Sequence, residues 1–531
     1  MKKHLLTSFL VPIAIGMPCL FLKAQSPPEK PVFVHGEIRQ AIPQDSLRLI
    51  FWDHYLGQFV SYAGKSMTYV PILPGSILQG NSESGVIQLS TAPISQPAYL
   101  SISSILGDFY LDRFLVEPGD SLLFSLDLRL GKLIFLGPQA DKFTLQHRLA
   151  LIRAAEMSAE TPSFHLRAGQ DPQAQQQEFL LKSPPPFTFS PRNMVFVQPG
   201  EPRYQWMIRQ LQSLPRQDPR LRELEKWTPD PSSGISGEFL QILRADILGE
   251  AASRSLSLLK NLPLDSPEQT TLLIREYLRR VGELSVPDSI AVKSAYFPQF
   301  LIDKESLLAL QAKENLFSRL ESNYGQLLFD ELAARFLFAN YQRLPDFGGA
   351  VVSALERMQT DYLKIRLQAL AQAHQPGLPA EALNMTDLQG DPVSLQDFKG
   401  KTLLLAFWFP GCTPSKLMHE RQLTKVMDRF RDHPDFRLIS VNTDPDPELW
   451  KTYLKENPGY SFGNLHLFLG GRDVHPFLTH YDIQAYPALM LIDEEGNLIR
   501  SLKMPSQAEG LIDLIASQLH PTSNHSNPNI P

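Results

Sequence analysis

The sequence predicts a multidomain protein: an N-terminal all-β, sandwich-like domain, an α-helical middle region and a C-terminal α/β domain. Three observations predict it. At 531 residues the chain exceeds what one hydrophobic core usually organises. Short apolar runs separated by turn residues fill the first part, and helical spacing follows. The last part alternates strand-like and helix-like patterns, which implies an α/β layer fold. An apolar fraction of 43% and a charged fraction of 20% describe a globular chain with ample core. The formal charge of -6 is mild and no dense basic stretch occurs, which argues against nucleic acid as a partner.

Residues 1–24 read as a signal peptide. Lys2, Lys3 and His4 form a basic start, Leu5 to Leu22 is apolar, and Leu22-Lys23-Ala24 before Gln25 offers a small-residue cleavage site. The alternative is an uncleaved anchor, but Pro12, Gly16 and Pro18 interrupt a run already near the lower length limit for spanning. Cys19 raises lipid attachment, yet Pro18 before it and Leu20-Phe21-Leu22 after it fit a lipoprotein signal poorly. No second apolar run is long enough to cross a bilayer, so no integral span is expected after cleavage. Export implies an oxidising compartment. Removal of Cys19 would leave Cys412 as an odd thiol, either reactive, paired with another molecule, or buried and inert.

Residues 25–141 are expected to be β-rich. Val32-Phe33-Val34, Leu47 to Trp52, Gly85 to Leu89, Ala98 to Ile102 and Ser121 to Leu126 are the strand candidates, and Glu117-Pro118-Gly119-Asp120 is a turn. Residues 142–375 are expected to be helical. Val351, Leu355, Met358, Tyr362 and Ile365 follow steps of four and three, the spacing of one helix face; Leu328, Leu332 and Phe336 give a second. Their expected role is core packing. Asp171 to Pro191, rich in proline and glutamine, reads as an exposed loop.

Gln375-Pro376-Gly377-Leu378-Pro379 reads as a linker opening the α/β domain, residues 376–520, before a disordered polar tail at 521–531. A hairpin is expected to turn at Leu388-Gln389-Gly390-Asp391. Strands are expected at Leu403 to Phe409, Phe436 to Asn442, Ala488 to Asp493 and Leu498 to Leu502, with helices near Pro414 to Phe430, Pro447 to Lys455 and Gln507 to Leu519.

The first of these strands runs into Gly411-Cys412-Thr413-Pro414-Ser415. Pro414 is well placed to start a helix, so Cys412 would stand at a helix N-terminus, where the thiolate is favoured. Further on, Tyr486-Pro487 directly precedes a strand, and Glu494-Glu495-Gly496-Asn497 makes a turn. With both halves in place, the stretch from about Pro379 to Leu519 resembles the thioredoxin-like fold, and within it the TlpA/ResA-like thiol-disulfide oxidoreductases of the bacterial envelope. Asp397-Phe398-Lys399-Gly400-Lys401 looks like the loop before that family's first central strand. The resemblance implies that Cys412 is the nucleophile and that Tyr486-Pro487 is a cis-proline dipeptide beside it, helping to dock a substrate chain. It also implies a periplasmic or cell-envelope location, and protein thiols or disulfides as partners. The N-terminal region is similar to the uncharacterised β-domains that often precede TlpA-like domains.

The departures are as informative. Ser415 stands where the family's resolving cysteine would be, Gly411 replaces a common tryptophan, and Met418 occupies the place of an acidic residue, with Glu420 two places on. The expected chemistry is monothiol exchange through Cys412, with Ser415 supporting the thiolate, Pro414 shaping the helix start and Pro487 presenting the partner. The rival reading is a redox-inactive thioredoxin-fold binding or scaffold protein. An ordinary cysteine thiol near 8.5 is only about 3% ionised at pH 7, and lowering it to about 7 takes about 2 kcal/mol. One helix end supplies about 0.3–1 kcal/mol, so hydrogen bonds or Lys416 would have to add the rest. Lys416 reads equally well as a solvated surface residue.

No cofactor or metal motif is read. A peroxiredoxin pattern fails at Phe409 and Leu405. Ala63-Gly64-Lys65-Ser66 imitates the end of a phosphate loop, but Phe59 replaces the first glycine in a β-rich context. His466, His475 and His480 lack metal-ligand spacing, and His419 reads as an exposed surface residue. Asp444, Asp446 and Glu448 read as capping and loop residues.

Overall fold

The computed structural model describes residues 28–39, 46–57, 64–76, 84–105, 107–182, 194–211, 215–261, 266–281, 284–457, 465–471 and 475–519. The signal-peptide and tail readings, at 1–24 and 521–531, lie outside them.

Nine strands build the N-terminal domain: β1 (Phe33–Arg39), β2 (Ser46–Trp52), β3 (Lys65–Pro71), β4 (Leu73–Pro74), β5 (Ser84–Ser90), β6 (Ala98–Ser103), β7 (Phe109–Val116), β8 (Ser121–Asp127) and β9 (Lys132–Leu136). They form two sheets, ordered β4-β5-β1-β8-β9 and β3-β2-β6-β7, in which only β1 and β8 run parallel. The four-stranded sheet is buried on both faces. Leu47, Leu49 and Phe51 of β2 enter the sandwich core, while Ile50 and Trp52 pack into the core of the helical region. Leu100 and Tyr99 divide in the same way on β6, as do Phe114 and Leu115 on β7. A strand with no solvated face is apolar at successive positions, as Leu49 to Trp52 is.

The middle region is helical from Ala140–Ala159 through Asp361–Ala373, with one short parallel pair, β10 (Ser163–His165) and β11 (Val195–Val197). Two local expectations need correcting. The stripe Val351 to Ile365 is not one helix: helices Phe347–Arg357 and Asp361–Ala373 are separated at Met358–Thr360. The break comes from Asp330, whose buried carboxylate accepts from Gln359 N at 2.9 Å, Thr360 N at 2.7 Å and Thr360 Oγ1 at 2.7 Å. Ile365 is consequently 65% exposed. The segment from Asp171 is not all loop either, because Pro172–Lys182 is helical; 183–191 lie outside the described residues. Gln173 N and Ala174 N both bond to the Asp171 carboxylate, which starts that helix.

A buried ion-pair chain ties the sandwich to the helices. His54 Nε2 lies 2.8 Å from Glu331 Oε2, and Arg335 Nε donates to Glu331 Oε1 at 2.6 Å. The Glu331 side chain is only 2% exposed. Removing one member of such a chain strands the others without a counter-charge. Glu331→Ala is therefore expected to destabilise the protein by about 3–5 kcal/mol, read as a drop in the urea midpoint.

The C-terminal domain carries β12 (Asn384–Thr386), β13 (Pro392–Ser394), β14 (Thr402–Trp408), β15 (Phe436–Asn442), β16 (Leu465–Phe468), β17 (Ala488–Ile492) and β18 (Leu498–Arg500). One sheet orders them β13-β12-β16-β15-β14-β17-β18. β14, β15 and β16 run parallel, and β17 and β18 antiparallel. All seven residues of β14 are buried. Leu404, Ala406 and Trp408 face the helices Thr424–Phe430, Pro447–Glu456 and Ala508–Ala516; Leu403, Leu405 and Phe407 face the helix Pro476–His480. The expected linker at Gln375–Pro379 is in part an extra rung beside β18. Gly377 N donates to Leu498 O and Leu498 N to Leu378 O, both at 2.8 Å. Among the described residues, no helix is long and apolar enough to cross a membrane.

Candidate functional site

β14 delivers its C-terminal end to a tight turn. Cys412 N donates to Phe409 O at 3.2 Å, with Pro410 and Gly411 between them. Gly411 has φ of 82°, a left-handed conformation that glycine adopts without a Cβ clash. That explains glycine in the place where the resemblance suggests tryptophan. Cys412 then caps the helix Thr413–Met418, and Pro414 sits in its first turn. The helix continues through one wide turn at His419–Leu423 into Thr424–Phe430.

The sulfur has two polar neighbours. Ser415 Oγ donates to Cys412 Sγ at 3.0 Å, and Sγ lies 3.8 Å from the carbonyl oxygen of Tyr486. The first contact is one that a thiolate can accept; the second accepts a hydrogen bond from a thiol S–H. The Tyr486–Pro487 peptide is cis, so Pro487 follows directly on the residue that meets the sulfur. Phe409 and Tyr486 stack edge to face at 5.4 Å between ring centroids. Cys412 is 8% exposed and Ser415 is 3% exposed, whereas Pro414 and Lys416 are exposed. The four residues singled out from sequence thus stand in one place, with the Cys412 side chain buried.

His419 departs from expectation: it is 5% exposed, not a surface residue. It lies four residues after Ser415 on the inward face of the helix. His466 on β16 is buried as well, and its imidazole is held down at about 4, by burial first and by His419 second. Below the helix, Trp408 Nε1 donates to Ser440 Oγ at 2.8 Å, and Ser440 pairs in register with His466. The floor of the site is therefore polar but neutral at pH 7 at His466. Sequence reading missed the Tyr486 carbonyl and the two buried imidazoles. The signal for His419 was present: a position four residues beyond a buried serine, with Leu423 and Val426 following on the same face.

Comparison with known proteins follows the same outline. A family model described as thioredoxin-like matches residues 400–498. The thiol-disulfide oxidoreductase ResA of Bacillus thuringiensis is 25% identical over 137 residues, which is 25% of this chain and 73% of ResA. The thioredoxin domain of a thiol-disulfide oxidoreductase from Bacteroides vulgatus is 32% identical, covering 27% of this chain and 96% of that one, with a TM-score of 0.23. A thiol:disulfide interchange protein from Bacteroides sp. is 29% identical, covering 29% of this chain and 97% of that one, with a TM-score of 0.25. The C-terminal domain is a thioredoxin-like domain. More narrowly, it has the TlpA/ResA-like fold of the thiol-disulfide oxidoreductases, and it carries serine at 415.

Proposed function

We propose that this chain is an exported thioredoxin-fold protein that exchanges thiols and disulfides through Cys412 alone. The observation that carries the proposal is the sulfur's setting, 3.0 Å from a donating hydroxyl and 3.8 Å from the carbonyl before Pro487. The Cys412 thiolate attacks one sulfur of a partner disulfide. A Cys412–partner disulfide forms, the partner's S–S bond breaks, and the partner's other sulfur leaves as a thiolate that takes a proton from water. Ser415 has no sulfur to reverse this step. Release needs a second thiolate, from a small thiol or from another cysteine of the partner, to attack the mixed disulfide. The exposed Pro414 and the half-buried Pro487 beside the sulfur are where the partner chain lies. The apolar Leu5 to Leu22 segment supports export to the envelope.

Incubating the purified chain with a peptide disulfide tests the proposal. The expected result is a one-to-one adduct that dithiothreitol removes, and that Cys412→Ser does not form. An adduct unchanged in that variant rejects the assignment.

A second reading, a redox-inactive binding or scaffold protein, is favoured by one observation: only 8% of Cys412 is exposed. Alkylation separates the two. A native chain alkylated at least about 100-fold more slowly than the urea-unfolded chain supports the scaffold.

A further inference from the structure

The loop Tyr481–Pro487 carries the carbonyl that meets Cys412, and it is held by the two domains that precede the thioredoxin-like one. Asp482 sits in this loop with φ of 49°, a left-handed conformation that a non-glycine residue keeps only when its surroundings impose it. Asp482 is 4% exposed. Its backbone carbonyl accepts from the Tyr341 hydroxyl at 3.3 Å, and Tyr341 belongs to the helical region. Its carboxylate accepts from Gln484 Nε2 at 2.5 Å. The other end of that amide, Gln484 Oε1, accepts from Lys65 Nζ at 3.4 Å, and Lys65 opens β3 of the sandwich. The Tyr481 hydroxyl accepts from Glu381 N at 2.9 Å, and its ring lies 6.0 Å from His374, which itself lies 5.2 Å from Tyr341. Two residues beyond Gln484, the chain passes the sulfur.

We infer that Lys65, Gln484 and Tyr341 are positioning residues: the sandwich and the helical region set the loop that presents a partner disulfide to Cys412. The inference rests on the thiol-exchange reading for its consequence, but its structural content does not. Here a charged donor comes from a strand more than 400 residues earlier, through the 65-to-484 contact. A partner therefore meets a groove whose shape the N-terminal domains help to fix.

The test uses the full chain and the variants Lys65→Ala, Gln484→Ala, their double, and Tyr341→Phe, which keeps the buried ring. Two readouts are taken. Capture of a peptide disulfide is expected to slow about fivefold in each single variant. The Lys65–Gln484 double is expected to be no slower than Gln484→Ala alone, because that single already removes the Lys65 contact together with the one to Asp482. Alkylation of Cys412 by iodoacetamide, which needs no partner groove, is expected to stay within about twofold. Lys65→Arg, which keeps the donor, restores capture. The second readout is amide exchange of a peptide spanning 481–489, expected to quicken in all three singles. Unchanged exchange overturns the inference, as does alkylation slowing in step with capture. If the unaltered chain captures nothing, the thiol-exchange reading fails alone, and amide exchange still decides whether the loop is held.

Discussion

Ser415→Cys is expected to convert the proposed disulfide capture, which depends on an outside thiol for release, into repeated disulfide reduction. The hydroxyl it replaces already lies 3.0 Å from Cys412 Sγ, and a bonded sulfur pair stands at about 2.05 Å, so a small approach closes the bond. After capture, the introduced thiolate would attack Cys412 Sγ. The mixed disulfide breaks, the partner departs as a dithiol, and the pair is left oxidised until dithiothreitol reduces it. The gain comes from proximity. A tethered thiol acts at an effective concentration on the order of millimolar or higher, without waiting for an outside thiol to reach a buried site. Position 415 is 3% exposed, so the larger sulfur carries a packing cost of about 1 kcal/mol, which a stable domain tolerates. Insulin turbidity in the presence of dithiothreitol reads the outcome: faster turnover in the variant than in the unaltered chain, whose mixed disulfide must wait for dithiothreitol to attack it. A variant that still captures but never turns over would mean that serine is not the missing element, and that the surroundings of Cys412 have moved away from two-thiol chemistry.

What the sequence disclosed and what it concealed separate along the range of the forces involved. β15 was legible to the residue at Phe436 to Asn442, because Phe436, Leu438, Ile439 and Val441 concentrate apolar and β-branched residues in one short segment. The turn before Cys412 was not read from the sequence, although Pro410 and Gly411 are residue types that a tight turn needs. β16 escaped notice: it has four residues, one of them His466, too short a run to rise above loop composition. The false single helix from Val351 to Ile365 had the opposite cause. Two successive helices continued one apolar phase, and the break was imposed by Asp330, some 30 residues away in sequence. The second face of β2 was hidden in the same way, since nothing local says that Ile50 and Trp52 meet helices rather than solvent. At the site, Cys412, Pro414, Ser415 and Pro487 could be named from motif alone. The loop's attachment to Lys65 and Tyr341 could not, because contacts across hundreds of residues leave no pattern in a single chain.

Acid is expected to weaken the fold through two buried imidazoles, partly offset by the buried Asp246 carboxyl, which burial raises to about 6. His374 closes the last helix of the middle region and packs against Tyr341 and Tyr481 at the junction with the thioredoxin-like domain. Its Nδ1 lies 2.8 Å from Ser501 Oγ, while its Nε2 is buried with no hydrogen-bond partner among the described residues. A proton there would carry a charge into an apolar pocket, and burial, with His480 adding to it, holds the ring down at about 4. His466 is held at about 4 by burial and by His419. Both groups ionise near 6.5 in an unfolded chain. Above that pH they are neutral in either state and contribute nothing to the pH dependence. Between about 6.5 and 4 the unfolded chain takes up protons that the folded chain refuses, so stability falls as pH falls. At about 1.4 kcal/mol per unit, each imidazole costs about 2 kcal/mol by pH 5 and about 3 by pH 4. Urea unfolding at pH 7, 6 and 5, at fixed ionic strength and followed by tryptophan emission, reads the slope. His374→Phe, which keeps an aromatic ring between the two tyrosines and cannot be protonated, is expected to make the slope shallower. A free energy level from pH 7 to pH 5, or a slope untouched by that substitution, would show that the junction admits a charged imidazole. Because the same junction anchors the loop beside Cys412, the acid-weakened protein is also expected to show faster amide exchange at residues 481–489 before it unfolds as a whole.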